Sequence, residues 1–416
     1  MGIVHPGCHP EAVSIQQDTP LKADGRRLFS VGWRENPSHA GYAESSFAFL
    51  DRVAQPYWAR VRDELDRWFA DFPTGEPARD LRNRFRKDDP RQHYAAWWEL
   101  YLYTFLTRSG FNVEVHPDLQ GSTAHPDFLV SSERGVFYVE AATTFSGIQD
   151  DEEHSVLEPQ IMDAIEKAHS ETFTISLDFE RIGTDMPGVR EIVAPIQEWL
   201  DGLDADDALA SGVSPSCSIE VRDWELGLMA FPLTPEHRGP VKQLIGLGPV
   251  MVGNVDDTEK LRAALNRKRG RYGDPGAPLL FAALMPSTFA DLPAVEKALF
   301  GDTAWKYYTG ERGRERWVRC RNGFWINEHG PRAQTVSGVV TGFGILPGAE
   351  FANRRPRLWP NPWAANPLTA SLHMPHSAGS TEAQFEHQDD AEAASVRAIF
   401  GLSADWLGPE PPFADV

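Results

Sequence analysis

The stretch HPDFLVSSERGVFYVEAA, residues 125–142, contains two short apolar runs separated by a polar turn. Both runs are rich in aromatic and β-branched side chains, and the turn at residues 131–135 ends in glycine, so the stretch predicts a β-hairpin. Asp127 opens the first predicted strand and Glu140 ends the second. We therefore expect the two carboxylates to lie close together at one edge of a sheet.

The sequence around the hairpin predicts an α/β unit. Residues 94–108 carry apolar side chains at helical spacing, and Gly110 follows where such a helix would end. Residues 111–116 alternate like a strand. Downstream, residues 257–272 have the pattern of another helix, and the apolar run at 278–284 predicts a buried strand. The fold class that we predict is α/β, with a mixed central sheet flanked by helices.

The rest of the chain is expected to extend this unit on both sides. Periodic apolar residues predict one helix over 42–69, and a further strand of the main sheet is expected near 336–346. The proline-rich segment 354–367 is expected to be irregular. We divide the chain into three parts: a leader and helical N-terminal region at 1–85, an α/β core at 86–290, and a C-terminal extension with an acidic tail at 291–416.

The net charge argues against a nucleic-acid partner, but the charge distribution does not. The 416 residues carry 40 basic and 60 acidic side chains, a net charge of −20, and a net anion repels phosphate. The basic residues are concentrated in a few places, and such local clusters contact phosphates in nucleic-acid-binding proteins. The clusters are residues 259–274, residues 311–321 with Trp317 interleaved, and Arg354, Arg355 and Arg357.

Cysteine content and hydropathy predict a cytoplasmic protein. Cys8, Cys217 and Cys320 lie far apart, which favours neither a disulfide scaffold nor a multi-cysteine zinc site. No apolar run approaches the roughly 18 residues that a membrane-spanning helix needs, so we expect no membrane partner. The first residues lack the basic and apolar regions of a secretory signal. The sequence does not indicate an oligomeric state.

The two carboxylates of the hairpin predict a metal site, because adjacent anions repel each other unless a cation lies between them. A hard divalent ion, Mg²⁺ or alternatively Mn²⁺, prefers oxygen ligands and keeps several waters. Such an ion polarises a phosphate and activates a bound water. Glu99, on the predicted helix at 94–108, is a further candidate ligand.

This order of residues resembles the PD-(D/E)xK nuclease superfamily, which has the restriction-endonuclease-like fold. The resemblance covers residues 92–145 and depends on two motifs and one helix residue: Pro126-Asp127, Glu140-Ala141-Ala142 and Glu99. It implies hydrolysis of a phosphodiester bond in nucleic acid, in DNA rather than RNA. It also implies a metal site with four ligands: the carboxylates of Asp127, Glu140 and Glu99, and the carbonyl of Ala141.

The sequence departs from the superfamily pattern at the lysine. The position two residues after Glu140 is Ala142, so the lysine is absent or comes from elsewhere. Some superfamily members take it from a later helix, and Lys268 is the candidate here because it shares a helical face with apolar residues. In that role Lys268 would orient the attacking water and stabilise charge at the scissile phosphate. Lys260 and Lys167 are alternatives.

Other interpretations of the sequence remain open. Ala142 also fits a catalytically inactive relative that binds nucleic acid or another partner on the same fold. Alternatively, the chain is an unrelated α/β protein in which Asp127 and Glu140 are surface residues. His125, next to the motif, and Gln160, after the hairpin, are further candidates for substrate contact. The chain contains neither a Walker-type phosphate loop nor a Gly-x-Ser-x-Gly elbow.

Overall fold

The computed structural model describes residues 26–119, 124–144, 154–239, 243–247, 257–286, 291–306, 316–348, 350–379, 385–388 and 395–408. The α-helices in these ranges are α1 Ser46–Arg52, α2 Pro56–Asp71, α3 Glu76–Phe85, α4 Pro90–Arg108, α5 His154–Ile165, α6 Val189–Asp201, α7 Ala205–Ser211, α8 Asp257–Lys268, α9 Leu292–Phe300 and α10 Val396–Ile399. The strands are β1 Asn112–Val115, β2 Phe128–Ser132, β3 Gly135–Thr143, β4 Phe173–Arg181, β5 Ser216–Val221, β6 Trp224–Pro232, β7 Ile245–Leu247, β8 Leu279–Met285, β9 Thr303–Lys306, β10 Arg316–Arg319, β11 Ile326–Asn327, β12 Gly330–Pro331, β13 Gly338–Phe343, β14 Arg357–Pro360, β15 His376–Gly379 and β16 Phe385–Gln388.

An eight-stranded mixed sheet lies at the centre of the fold, in the order β1-β2-β3-β8-β13-β14-β15-β16. β1, β2 and β3 are antiparallel neighbours, whereas β8 is parallel to both β3 and β13. The predicted hairpin at residues 125–142 is the β2–β3 pair, and the strand expected near 336–346 is β13. The prediction of an α/β fold with a mixed sheet flanked by helices is confirmed.

β8 is apolar throughout because both of its faces are covered. Alternate residues, among them Leu280 and Ala282, pack with α4 and the N-terminal helices. The residues between them, among them Phe281, pack with α8 and α9 on the other face. A strand buried on both sides reads as a continuous apolar run rather than as an alternating one. The two helical layers therefore enclose β3 and β8 at the middle of the sheet.

Two buried tryptophans hold α4 on the sheet. The indole nitrogen of Trp98 donates to the carbonyl of Ala282 in β8 at 2.9 Å, and that of Trp97 donates to the carbonyl of Ile345 at 2.8 Å. A buried indole N–H needs such a partner. Helices α1, α2 and α3 pack on the remaining surface of α4. No helix in the described ranges combines the length and apolar character needed to cross a membrane.

The connection between the parallel strands β3 and β8 contains a second sheet. Strands β4 to β7 form it, in the order β5-β6-β4-β7. Apolar residues of this sheet and of α5, α6 and α7, such as Ile175 and Ile196, form a hydrophobic cluster separate from the two that cover the main sheet. The sequence pattern does not separate this unit from the main sheet, because alternation predicts a strand but not its neighbours.

Two predictions of secondary structure are wrong. The segment 42–69 forms two helices, α1 and α2, because the chain is extended at Val53 and Gln55 and Pro56 then starts a new helix with its fixed φ. The segment 354–367, predicted to be irregular, contains β14, which pairs with β13. Pro360 is the last residue of β14.

Substitution of Gly342 tests the contact between α4 and the sheet. A Cβ atom at Gly342 in β13 would lie 2.6 Å from the ring of the fully buried Trp98. Gly342→Ala is therefore expected to lower the free energy of unfolding by about 1–3 kcal/mol, because the indole is held by its bond to Ala282. Gly202→Ala is the control, since its nearest atom would be the Trp199 carbonyl oxygen at 3.5 Å. Equal urea midpoints for both variants would contradict this packing.

Candidate functional site

The β2–β3 hairpin places Asp127 and Glu140 at the same end of the main sheet. Asp127 directly precedes β2, Glu140 lies in β3, and the pairing of Phe128 with Val139 brings the two acids to neighbouring positions. A cavity of about 240 Å³, which we call the central cavity, opens beside them. It is lined by residues of α4, β3 and α8 and by the residue before β2: Ala95, Trp98, Glu99, Ala141, Ala142, Thr143, Ala264, Arg267, Lys268 and Asp127.

Lys268 reaches the hairpin from the last position of α8. Its Nζ atom donates to Glu140 Oε1 at 2.5 Å and to the carbonyl of Ala141 at 3.0 Å. Ala142, two residues after Glu140, has a small side chain that lines the central cavity. The structure thus brings Lys268 to Glu140, although the strands β4 to β7 of the second sheet lie between these two residues in the sequence.

The Glu140 carboxylate is almost completely buried, with only 1 % of the residue exposed. Besides Lys268, it binds the hydroxyl of Tyr272, which donates to Oε2 at 2.5 Å. The predicted helix at 257–272 ends at Lys268, so Tyr272 reaches the carboxylate from the segment that follows α8. Burial and the neighbouring carboxylate raise the pKa of Tyr272, which therefore remains a hydrogen-bond donor at ordinary pH. Both oxygens of Glu140 are engaged within the protein.

The surroundings of the Asp127 carboxylate have an excess of negative charge. Its Oδ2 atom accepts a hydrogen bond from the backbone N–H of Ala141 at 2.6 Å. Burial, followed by the charges of Glu140 and Glu99, raises the pKa of Asp127 well above its usual range, and Lys268 offsets only part of this effect. A cation bound at Asp127 would remove the remaining repulsion.

Three side chains converge as potential metal ligands: Glu99, His116 and Asp127. One ligand atom of each lies within 4.8 Å of the others. His116 directly follows β1 with a left-handed φ of 50°, and its backbone N–H donates to the carbonyl of Asp127 at 2.9 Å. Two carboxylates and an imidazole form a suitable ligand set for a divalent ion. This group, formed by described residues, does not include Glu140.

Arg84 positions the Glu99 carboxylate. It donates to both oxygens, at 2.8 and 2.7 Å, in a bidentate ion pair. The carboxylates of Glu99 and Asp80 raise the pKa of Arg84, although its burial lowers it. Because each carboxylate oxygen has two lone pairs, this pairing leaves Glu99 able to bind a metal ion as well.

His116 is not among the ligands predicted from the sequence, although the sequence contains one signal for it. The tripeptide His-Pro-Asp occurs twice, at residues 116–118 and 125–127. The structure divides each copy between two places. His116 and Asp127 lie together at the metal-ligand group, whereas His125 lies 3.3 Å from Asp118, whose side chain is 99 % exposed.

The remaining candidates lie elsewhere. His125 contacts Asp118 and the backbone outside the central cavity. Gln160 lines a different cavity, of about 880 Å³, at the N-terminal end of α4. Lys167 is exposed after α5, and Lys260 lies in the first turn of α8. Neither lysine is among the described residues that line the central cavity.

The three basic clusters have different surroundings. Of residues 259–274, the cations Arg267 and Lys268 line the central cavity. Arg354 and Arg357 are engaged inside the fold, where they donate to the carbonyls of Phe343 and His376, both at 3.3 Å. The first half of the cluster at residues 311–321 lies outside the described residues, and the second half belongs to β10.

No protein-family model, curated protein or solved structure matches this chain. The resemblance to the PD-(D/E)xK superfamily therefore stays a prediction. The functional interpretation of this chain depends on the geometry of the central cavity.

The raised pKa of Asp127 predicts that Asp127→Asn stabilises the metal-free protein. When the pKa of a carboxyl group is higher in the folded than in the unfolded state, the free energy of unfolding falls as the pH rises through the folded pKa. Asparagine avoids this loss and keeps an oxygen for the Ala141 N–H. Urea unfolding in EDTA should therefore show a gain at neutral pH that disappears below about pH 4.

Asp118→Asn is the matched control for this measurement, because its side chain is exposed. We expect little change in its free energy of unfolding at either pH. A loss of stability in Asp127→Asn at neutral pH would contradict the described charge environment.

Proposed function

We propose that this protein is a divalent-metal-dependent phosphodiesterase of the PD-(D/E)xK type that cleaves nucleic acid, DNA rather than RNA. The observation that carries the proposal is the position of Lys268, which binds Glu140 and the Ala141 carbonyl beside Asp127. These are the residue types that the superfamily motif combines. Here α8 supplies the lysine that is absent at position 142.

Glu99, His116 and Asp127 would hold the metal ion. Their ligand atoms are close enough to share one ion, and burial, followed by the charges of Glu140 and Glu99, raises the pKa of Asp127. Mg²⁺ binds almost only oxygen ligands, whereas Mn²⁺ also accepts imidazole, so His116 favours Mn²⁺. When bound, such an ion polarises a phosphate oxygen and lowers the pKa of a coordinated water.

Lys268 would stabilise the negative charge that develops on the scissile phosphate. Its ammonium group has three donor hydrogens, and the bonds to Glu140 and Ala141 use two of them. The third is available to a phosphate oxygen or to the attacking water. Glu140 and Tyr272 fix the direction of the lysine, which is the preorganisation that makes such charges effective.

The end of α8 supplies the positive charge that a polyanionic substrate needs. Four cationic residues occur within five positions: Arg267, Lys268, Arg269 and Arg271. Arg267 lines the central cavity, and Arg271 lies 3.5 Å from Glu140. A local cationic surface of this kind attracts phosphates even on a protein with net charge −20.

Cleavage assays test the proposed function. With Mn²⁺ or Mg²⁺, the wild-type protein should cut linear or plasmid DNA. Asp127→Asn and Lys268→Met should each slow cleavage about 100-fold or more, because one loses a metal ligand and the other the charge at the phosphate. Lys260→Met, on the same helix outside the central cavity, should cut at the wild-type rate.

Thermal unfolding must accompany these assays, because Lys268→Met leaves the buried Glu140 with fewer partners. Cleavage by Asp127→Asn at the wild-type rate would rule out the proposed site. DNA binding without cleavage by the wild-type protein would instead favour the inactive binding protein.

Calorimetric titration with Mn²⁺ tests the ligand set independently of cleavage. His116→Ala is expected to weaken Mn²⁺ binding about tenfold or more and to affect Mg²⁺ binding less, since imidazole contributes more to Mn²⁺. His125→Ala, the equivalent change in the other His-Pro-Asp tripeptide, should bind both ions like the wild type. Equal effects of the two histidine substitutions would remove His116 from the site.

A further inference from the structure

The second sheet ends in an open edge strand, β5. Among the described strands it pairs only with β6, at the end of the order β5-β6-β4-β7. With six residues β5 is the longest described edge strand of the two larger sheets, since β1 and β16 have four each and β7 has three. It contains neither proline nor lysine, and its register with β6 has no bulge. Proline, lysine and bulges are the features that usually protect an edge strand from pairing with another chain.

Alternate residues of β5 direct their backbone groups away from the sheet. The amide of Ala230 in β6 donates to the carbonyl of Pro215 at 2.8 Å, which sets the phase of the β5–β6 ladder. Because hydrogen-bonded and non-hydrogen-bonded positions alternate, the odd-numbered positions of β5 bond to β6. The N–H and C=O groups of Ser216, Ser218 and Glu220 therefore point to the open edge. In the described part of the chain, these amides make no hydrogen bond to another element.

The side chains of β5 fit a second copy of the same strand. A two-fold axis at Ser218 pairs two such strands antiparallel, with Ser218 opposite its own copy and Ser216 opposite Glu220. The three outward-facing residues of each copy then exchange backbone hydrogen bonds, and the two Glu220 carboxylates lie at opposite ends of the contact. On the other face, Cys217 lies opposite Ile219. Both side chains are half-buried on the hydrophobic cluster of the second sheet, so this pairing extends the cluster.

The charge of the edge also favours a second copy. Residues 213–221 contain one ionised side chain, Glu220, and Arg181 of the same chain lies 3.5 Å from it. Like charges do not oppose each other in the register with Ser216 opposite Glu220. A partner strand therefore needs no compensating charge. It needs small polar residues on one face and apolar residues on the other, and β5 itself has this pattern.

We propose that β5 binds β5 of a second copy of this chain, so that two four-stranded sheets form one continuous sheet across a two-fold axis. The inference does not depend on the proposed function, because the described lining of the central cavity includes no residue of β5. The net charge of −20 on each copy opposes association at long range. Salt screens this repulsion, so the dimer becomes more stable as the ionic strength rises.

Sedimentation equilibrium of the full chain over a wide range of protein concentrations tests the inference. We expect a monomer–dimer equilibrium that shifts toward the dimer at higher salt. Ser218→Pro removes the central outward N–H and should weaken association about tenfold or more. The monomer should keep its fold, because this N–H does not bond to β6, and thermal unfolding checks this. Ser218→Thr retains the N–H and should associate like the wild type.

Two substitutions of Ser216 test the register without removing a backbone hydrogen bond. Position 216 lies opposite Glu220 of the second copy. Ser216→Lys should therefore strengthen the dimer about twofold to tenfold, and Ser216→Glu should weaken it by a similar factor. Ser403→Lys and Ser403→Glu change the net charge equally at an exposed position after α10. Both control variants should associate nearly like the wild type.

Amide hydrogen exchange locates the contact. The amides of Ser216, Ser218 and Glu220 should become protected as the protein concentration rises, whereas those of Cys217 and Ile219 should be protected at every concentration. A wild-type protein that stays monomeric would overturn the inference, as would a dimer that Ser218→Pro leaves intact. Changes of the same sign in Ser216→Lys and Ser216→Glu would also overturn it.

Discussion

The buried Glu140 carboxylate is the constraint on which the rest of the site depends. A charge with 1 % exposure is tolerated only when it is paired and hydrogen-bonded. Its partners Lys268 and Tyr272 both come from the end of α8 and the turn after it. The end of α8 must therefore lie against β3, and this contact encloses the central cavity against α4. One buried acid thus determines where the cations of the site are placed.

The antiparallel pairing of β1 and β2 explains how the metal-ligand group forms. Val115, the last residue of β1, pairs with Phe128, the first residue of β2. This register brings His116 beside Asp127, although the two belong to different His-Pro-Asp tripeptides. Identical tripeptides therefore contribute different residues to the site. In an antiparallel strand pair, the end of the first strand lies beside the start of the second. The histidine of the first tripeptide therefore lies beside the aspartate of the second.

Local pattern was sufficient for the parts of the site that depend on local structure. The β2–β3 hairpin follows from alternation and turn residues, and Lys268 is a candidate because it shares a helical face with apolar residues. His116 could not be selected in this way, because its role depends on strand pairing. Nor does the motif show that the Glu140 oxygens bind Lys268 and Tyr272 while the metal-ligand group forms around Asp127. That division depends on which helix packs on which face of the sheet.

In the sequence, the second sheet lies between the residues of β3 and those of α8 that line the central cavity. Glu140 precedes it and Lys268 follows it, 128 positions later. During synthesis the acids leave the ribosome first, and the lysine appears only after the whole intervening unit has been made. A nascent or prematurely ended chain consequently lacks the ammonium group that the assembled site contains. The order of translation keeps the constellation incomplete until the polypeptide is long enough to fold around it.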